Sequence, residues 1–154
     1  MDCDTGISGC IVSISVCFCL ANSTSDEFIF DTSEINISNE GSIIEAADGT
    51  VTTAEGNFVI KAKKFYYDKE KLILKASEEV EVDDSKNNIL IKSDFIAYNN
   101  KKRSISSNKN STIEDSLGNI FFIENFLYTL DDKLIKLKNA KIIDIEKNHY
   151  KLDK

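Results

Sequence analysis

Apolar residues recur at every second position over most of the chain, and the alternation is broken at regular places. In residues 58–88, FVIKAKKFYYDKEKLILKASEEVEVDDSKNN, the residues Phe58, Ile60 and Ala62 alternate with Val59, Lys61 and Lys63, and Phe65 and Tyr67 then resume on the opposite parity. Period-2 patterning of this length predicts half-buried strands. After the polar turn Asp68-Lys69-Glu70-Lys71, the residues Leu72, Leu74, Ala76, Val80 and Val82 share one parity. The stretch therefore predicts a β-hairpin. The parity change between Ala62 and Phe65 requires a bulge or corner, because a one-residue slip turns every later side chain to the wrong face.

The same design returns. Unit starts at Phe28, Phe58, Ile89 and Ile120 are spaced by 30, 31 and 31 residues, a period that signals an array of one supersecondary unit. The third unit places Ile89, Ile91, Ile96, Tyr98, Ile105 and Ile113 in the inward slots and breaks parity between Ile91 and Ile96. Ser107 and Ser111 make it the most polar unit, so looser packing is expected there. The fourth contributes Phe122, Ile135 and Leu137, although its first strand fits either parity. The first unit is the least regular. Phe28, Phe30, Ile35 and Ile37 mark its outgoing strand, Asn39-Glu40-Gly41 the turn, and Ile43, Ile44, Ala46 and Val51 the return, interrupted at Asp48-Gly49. Turns between units fall at Glu55-Gly56-Asn57, Lys86-Asn87-Asn88 and Leu117-Gly118-Asn119, where Gly and Asn supply positive φ. No stretch has the 3.6-residue stripe and caps of a helix. The fold class is all-β, with about eight long bent strands, or up to about sixteen if each breaks at its bulge.

Composition adds little to this picture and excludes more. The chain has 154 residues, 42% hydrophobic and 29% charged, with no proline, which suits a sheet whose N–H groups are committed to ladders. The formal net charge of −7 leaves no basic footprint for nucleic acid. The four cysteines, Cys3, Cys10, Cys17 and Cys19, all precede the repeats and do not match paired zinc-site spacing. They fall around an uncharged run, ISGCIVSISVCFCLA at residues 7–21. That run is short for a membrane span and suits the apolar region of an export signal, with small residues at Cys19 and Ala21 for cleavage. Asp2 and Asp4 stand where a signal ordinarily carries positive charge, and the alternative is a buried first strand. The expected division is a signal at residues 1–21, a polar linker at 22–27 and one β domain at 28–154.

Chemistry has few candidates. His149 is the only histidine, expected at a frayed terminus with no motif around it. Glu78-Glu79 and Lys101-Lys102-Arg103 are expected on solvated faces. Glu79, Glu81, Asp83 and Asp84 are expected on turns or outward positions beside lysines. Asp83-Asp84-Ser85 lacks the glycine and closing glutamate of a calcium loop, and no phosphate loop or nucleophile elbow is present. No catalytic residue, metal ligand or cofactor site is assigned, and a non-enzymatic role is expected.

The repeat resembles a known family. Outgoing strands that end in an aromatic, AKKFYYD and SDFIAYNN, and return strands with a small residue before a valine, LILKASEEVEV and IIEAADGTVTT, are similar to those of the organic-solvent-tolerance (OstA) family of periplasmic proteins and domains. The resemblance covers residues 28–154 and departs from the pattern at Ser107 and Ser111. It implies a β-jelly roll open on one side, whose apolar interior holds the lipid A acyl chains of lipopolysaccharide. It also implies edge-strand pairing with other jelly-roll lipopolysaccharide-transport proteins, and a place in the periplasm in association with the outer membrane. Among members, the chain is similar both to the soluble bridge protein and to the N-terminal domain of the large outer-membrane assembly protein, which continues into a β-barrel. On that resemblance the lipid-contacting set is Phe58, Ile60, Phe65, Tyr67, Leu72, Leu74, Val80, Val82, Ile89, Ile91, Ile96, Tyr98, Ile105, Ile113, Phe122, Ile135 and Leu137. The rival readings are a structural or adhesive β-repeat with a closed core, and a carbohydrate-active jelly roll with facing carboxylates in a cleft.

Overall fold

Ten strands form one antiparallel sheet in the computed structural model, which describes residues 28–54, 56–143 and 149–152. They are β1 (Phe28–Ser38), β2 (Ile43–Thr53), β3 (Phe58–Asp68), β4 (Ile73–Asp84), β5 (Ile89–Asn99), β6 (Ser104–Ser107), β7 (Ser111–Glu114), β8 (Ile120–Thr129), β9 (Leu134–Ile143) and β10 (His149–Leu152). Each strand pairs with the next in sequence, except that β6 and β7 act as two halves of one strand between β5 and β8. The expected signal and linker, residues 1–27, lie outside the described residues. His149 pairs with Ile143 at the start of β10 rather than fraying.

Every long strand breaks near its middle, and the breaks line up across the ladder. On β4 the pairs Lys61↔Glu81 and Lys64↔Ser77 enclose one residue more on β4 than on β3, and the same excess recurs against β5. The extra residue belongs to Glu78-Glu79, where both residues adopt positive φ, 66° and 55°. Their carboxylates are held by Lys64, at 2.6 Å from Glu78, and by Lys63. Two β-carbon-bearing residues in the left-handed region cost conformational energy, which the ladders on both sides must hold in place. Asp48, the gap at residues 108–110, Glu124 and Asn139 continue the line, with Asp48 and Asn139 also at positive φ. At Gly49 a β-carbon would sit 2.1 Å from the Asp31 carbonyl oxygen, so the bend in β2 requires glycine.

The line of bends folds the sheet onto itself. Phe28 on β1 and Tyr98 on β5 are four strand steps apart, about 19 Å in a flat sheet, yet their ring centroids are 5.4 Å apart. One half-sheet holds residues 28–32, 49–53, 58–62, 80–84, 89–93, 111–114, 120–123 and 140–143. The other holds 34–38, 43–47, 64–68, 73–77, 95–99, 104–107, 125–129 and 134–138. Opposed faces of the two halves bury Ile60, Leu74, Val82, Ile91, Ile96, Ile105, Ile113 and Tyr128 almost completely. Among the described residues the sheet does not close into a barrel, because β1 and β10 end the order without pairing to each other. The result is a β-jelly roll open on one side.

Two rows of turns border the open side of the fold. Turns at 38–42, 69–72, 100–103 and 130–133 end one half-sheet, and those at 85–88 and 115–119, with Gly56 and Asn57 ahead of β3, end the other. Gly56, Asn88 and Gly118 have positive φ as their residue types lead one to expect. In the other row, Leu72, Arg103 and Lys133 occupy the left-handed region at 56°, 44° and 52°. Neighbouring turns within this row are joined by backbone bonds, in which Lys69 N donates to Ser42 O, Asn100 N to Leu72 O and Leu130 N to Arg103 O, and in the opposite row Ser85 N donates to Asn57 O.

Candidate functional site

The interior between the half-sheets is the candidate site, and most of the expected apolar set lines it. Phe58, Ile60, Phe65, Tyr67, Leu74, Val80, Val82, Ile91, Ile96, Tyr98, Ile105 and Ile113 are all buried there, while Ile89, Ile135 and Leu137 are half-buried against the same cluster. Two members of the set are placed differently. Phe122 points outward and is 42% exposed; its strand presents Phe121 and Ile123 inward, then, past the bend at Glu124, Phe126 and Tyr128. Leu72 closes the β3–β4 turn at positive φ and is only half-buried, so it is a turn residue rather than a strand-face residue. The sequence pattern missed Ile123, Phe126 and Tyr128 as interior residues, and Ala140 opposite Ile123 on β9; the parity of β8 counted outward from its bend is the signal that finds the first three.

Aromatic rings bridge the two halves toward the β1 end. Phe28 meets Tyr67 edge-on at 5.0 Å, Phe30 meets Phe65 edge-on at 6.5 Å, and Phe58 lies 5.5 Å from Tyr98. Such contacts contribute about 0.5–1.5 kcal/mol each beyond burial. The interior is therefore filled by its own side chains.

Polar groups enter the interior at two places. Ser93, Ser107 and Ser111 are buried at the bend, where Ser93 Oγ lies 2.9 Å from Ser111 Oγ and 3.2 Å from Ser107 Oγ. The third unit is polar as expected but not loose, since each hydroxyl also bonds a carbonyl of the bend: Ser93 that of Phe95, Ser107 and Ser111 that of Lys109.

The second place is the open side. Tyr128 Oη donates to Asp84 Oδ2 at 2.6 Å, and Asn87 Nδ2 donates to Asp84 Oδ2 at 2.7 Å and to Tyr128 Oη at 3.0 Å. Asp84 is 3% exposed, so it is a buried interior group and not the outward carboxylate its sequence context suggests. Burial, together with the neighbouring Asp84 carboxylate, pushes the Tyr128 hydroxyl well above its ordinary pKa. The clasp joins β4 to β8 across the seam between the two rows of turns. Beside it a cavity of about 210 Å³ opens between the rows, with Phe58, Tyr98 and Leu130 at its apolar wall and Lys86, Arg103 and Lys133 among its polar lining.

Other features lie on the outside. A groove of about 700 Å³ runs along the bend over Phe122, flanked by Glu79, Glu81, Asp94 and Glu124. Three of these carboxylates are engaged, Glu79 by Lys63, Glu81 by Lys92 and Glu124 by Asn139. Among the described residues, no cluster of three histidine, cysteine or acidic side chains is placed to hold a metal. At the β1 edge, Ile35 and Ile37 sit opposite Ala46 and Ile44 and so share the interior face, yet they are 54% and 57% exposed. Among the described residues, the apolar interior thus continues out to the β1 edge.

Comparison with known proteins builds on this geometry. No protein-family model matches the sequence, and no curated protein matches it either. Among solved structures, the chain is similar to the crystal structure of LptH, the LptA-homologous periplasmic component of the conserved lipopolysaccharide transport device from Pseudomonas aeruginosa. The superposition has a TM-score of 0.60 at 11% identity and covers 84% of this chain and 96% of LptH. The fold is that of LptH. The β-jelly roll that the resemblance implies is therefore present in three dimensions, over nearly the whole length of LptH.

Proposed function

We propose that the chain is a non-enzymatic, lipid-conducting module of lipopolysaccharide transport, exported to the periplasm and associated with assembly of the outer membrane. The observation that carries this reading is the open jelly roll itself: one sheet folded over an apolar interior, with β1 and β10, among the described residues, each paired on one side only. The likeness to LptH supports it, because LptH is a periplasmic component of a lipopolysaccharide transport device. The physical need is plain. Each methylene moved into water costs about 0.8 kcal/mol, so one chain of about 12 carbons costs on the order of 10 kcal/mol. A lipid with several such chains needs an apolar path across an aqueous compartment, and no covalent chemistry is required. The partners are then the lipid A acyl chains inside and, at the β1 and β10 edges, neighbouring jelly-roll transport proteins or the domain attached to an outer-membrane β-barrel. Exposed Ile35 and Ile37 on the interior face of β1 support such continuation, because pairing there would extend both the ladder and the apolar lining.

The filled interior favours a second reading, a structural or adhesive β-repeat without lipid. Photocrosslinking separates the two. Probes at Phe65, Ile91 and Tyr98 are expected to capture lipopolysaccharide, and probes at outward Lys61 and Lys92 are not. Equal capture at both sets, or a lipid-free protein in native mass spectrometry, would favour the structural repeat.

A further inference from the structure

The cavity beside the Asp84–Tyr128 clasp differs in charge from the rest of the molecule. The chain carries a net −7, yet this cavity is lined by three cations, Lys86, Arg103 and Lys133, and two carboxylates, Asp84 and Asp131. Both carboxylates are already engaged. Asp84 accepts from Tyr128 and Asn87, and Asp131 accepts from Arg103 Nε at 2.8 Å. Lys86 and Lys133 make no ion pair among the described residues. They come from opposite rows of turns, so two ammonium groups flank the seam from both sides. Behind them the wall is apolar, and Phe58 and Tyr98 lead into the interior, 5% and 1% exposed.

We propose that this seam cavity binds the anionic head of an amphiphile, with Lys86 and Lys133 on the head and Phe58 and Tyr98 against the first part of its tail. The proposal rests on the lipid-binding reading and specifies where on the open side the head is held. Size selects the head. A volume of about 210 Å³ corresponds to roughly seven waters, enough for a phosphate-sized group and the first atoms of a tail but not for an oligosaccharide. The sign selects it too, because an ammonium pair favours a phosphate over a neutral sugar head.

The test compares dodecyl phosphate, dodecyl maltoside and inorganic phosphate, each below any micellar concentration, by calorimetric titration of the full chain. Exposed ion pairs are individually weak, so dodecyl phosphate is expected to bind about 3- to 10-fold more tightly than dodecyl maltoside at low salt, and the preference is expected to shrink as salt screens it. The double variant Lys86→Gln/Lys133→Gln is expected to bring that ratio close to one while leaving dodecyl maltoside affinity unchanged. The control Lys101→Gln/Lys102→Gln, on an exposed turn outside the cavity, is expected to keep it. Equal affinity of the parent chain for both amphiphiles overturns the anion site and leaves the apolar interior standing. Binding of neither overturns both readings. Lysine-dependent binding of inorganic phosphate as tight as that of dodecyl phosphate overturns the amphiphile in favour of a soluble anion.

Discussion

Phe122 and Phe126 lie four residues apart on β8, a spacing that puts two side chains on one face of an uninterrupted strand. One is 42% exposed and the other 4%. The bend at Glu124 accounts for the difference, since Ile123 pairs with Ala140 and Asn125 with Lys138 while Glu124 sits at the corner. This face reversal was only half-legible in the sequence. In β3 the polar residues Lys61, Lys63 and Lys64 mark both parities and the break between them, whereas Ile120-Phe121-Phe122-Ile123 satisfies either parity and leaves the choice open. The two positions should respond very differently to truncation. Phe126→Ala is expected to cost about 3–5 kcal/mol, as for buried aromatics generally, and Phe122→Ser less than about 0.5 kcal/mol, as for exposed positions. Urea unfolding followed by circular dichroism measures both, and comparable losses would mean that β8 has the opposite register.

At the scale of the strand, the recurring device is the mid-strand bend, and its strongest instance is Glu78-Glu79. The sequence marks this pair as a solvated charge pair, which is correct for the side chains and silent about the backbone. Nothing in two glutamates announces positive φ, because residue types that favour it are Gly, Asn and Asp. The clue lay in the partner strands, where parity breaks between Ala62 and Phe65 and between Ile91 and Ile96 required a compensating residue on β4. Deleting Glu79 removes that residue. Val80 and Val82 would then turn outward and Glu81 inward, burying a charge and exposing two apolar side chains. The expected result is loss of the cooperative unfolding transition. Exchanging Glu79 for Gly, which keeps the residue count and relieves positive φ, is expected to leave stability within about 1 kcal/mol of the parent. Differential scanning calorimetry distinguishes these outcomes, and a deletion variant that melts like the parent would show that the bulge is dispensable.

For the molecule as a whole, the all-β class, the repeat and the curl were legible because each is written locally in alternation and its breaks. The seam was not, because Asp84 and Tyr128 are 44 residues apart in sequence and meet only once the sheet has folded over. A buried tyrosine hydroxyl bonded to a buried carboxylate resists ionisation, and its folded-state pKa is held above the value of about 10 expected in the unfolded chain. The sign follows. A group with a raised folded pKa contributes stability that is complete below pH 10 and is lost as the pH rises above it. Tyr128→Phe removes the hydroxyl and leaves Asp84 with its Asn87 donors, at an expected cost of about 1–3 kcal/mol at neutral pH. It also removes the Tyr128 share of the alkaline loss, so the stabilities of parent and variant should converge as the pH rises above about 10. The halves of the fold should separate first at the clasp, because the opposite margin is held by continuous strands through the bend. Hydrogen exchange is therefore expected to speed up at the ends of β4 and β8 in the variant and to stay unchanged at residues 93, 107 and 111. On the lipid-binding reading the same loosening raises the rate at which an acyl chain is taken up, since the packed interior must part before it can be lined by lipid. Uniform acceleration of exchange along both strands would instead mean that Tyr128 supports the core at large and not the seam.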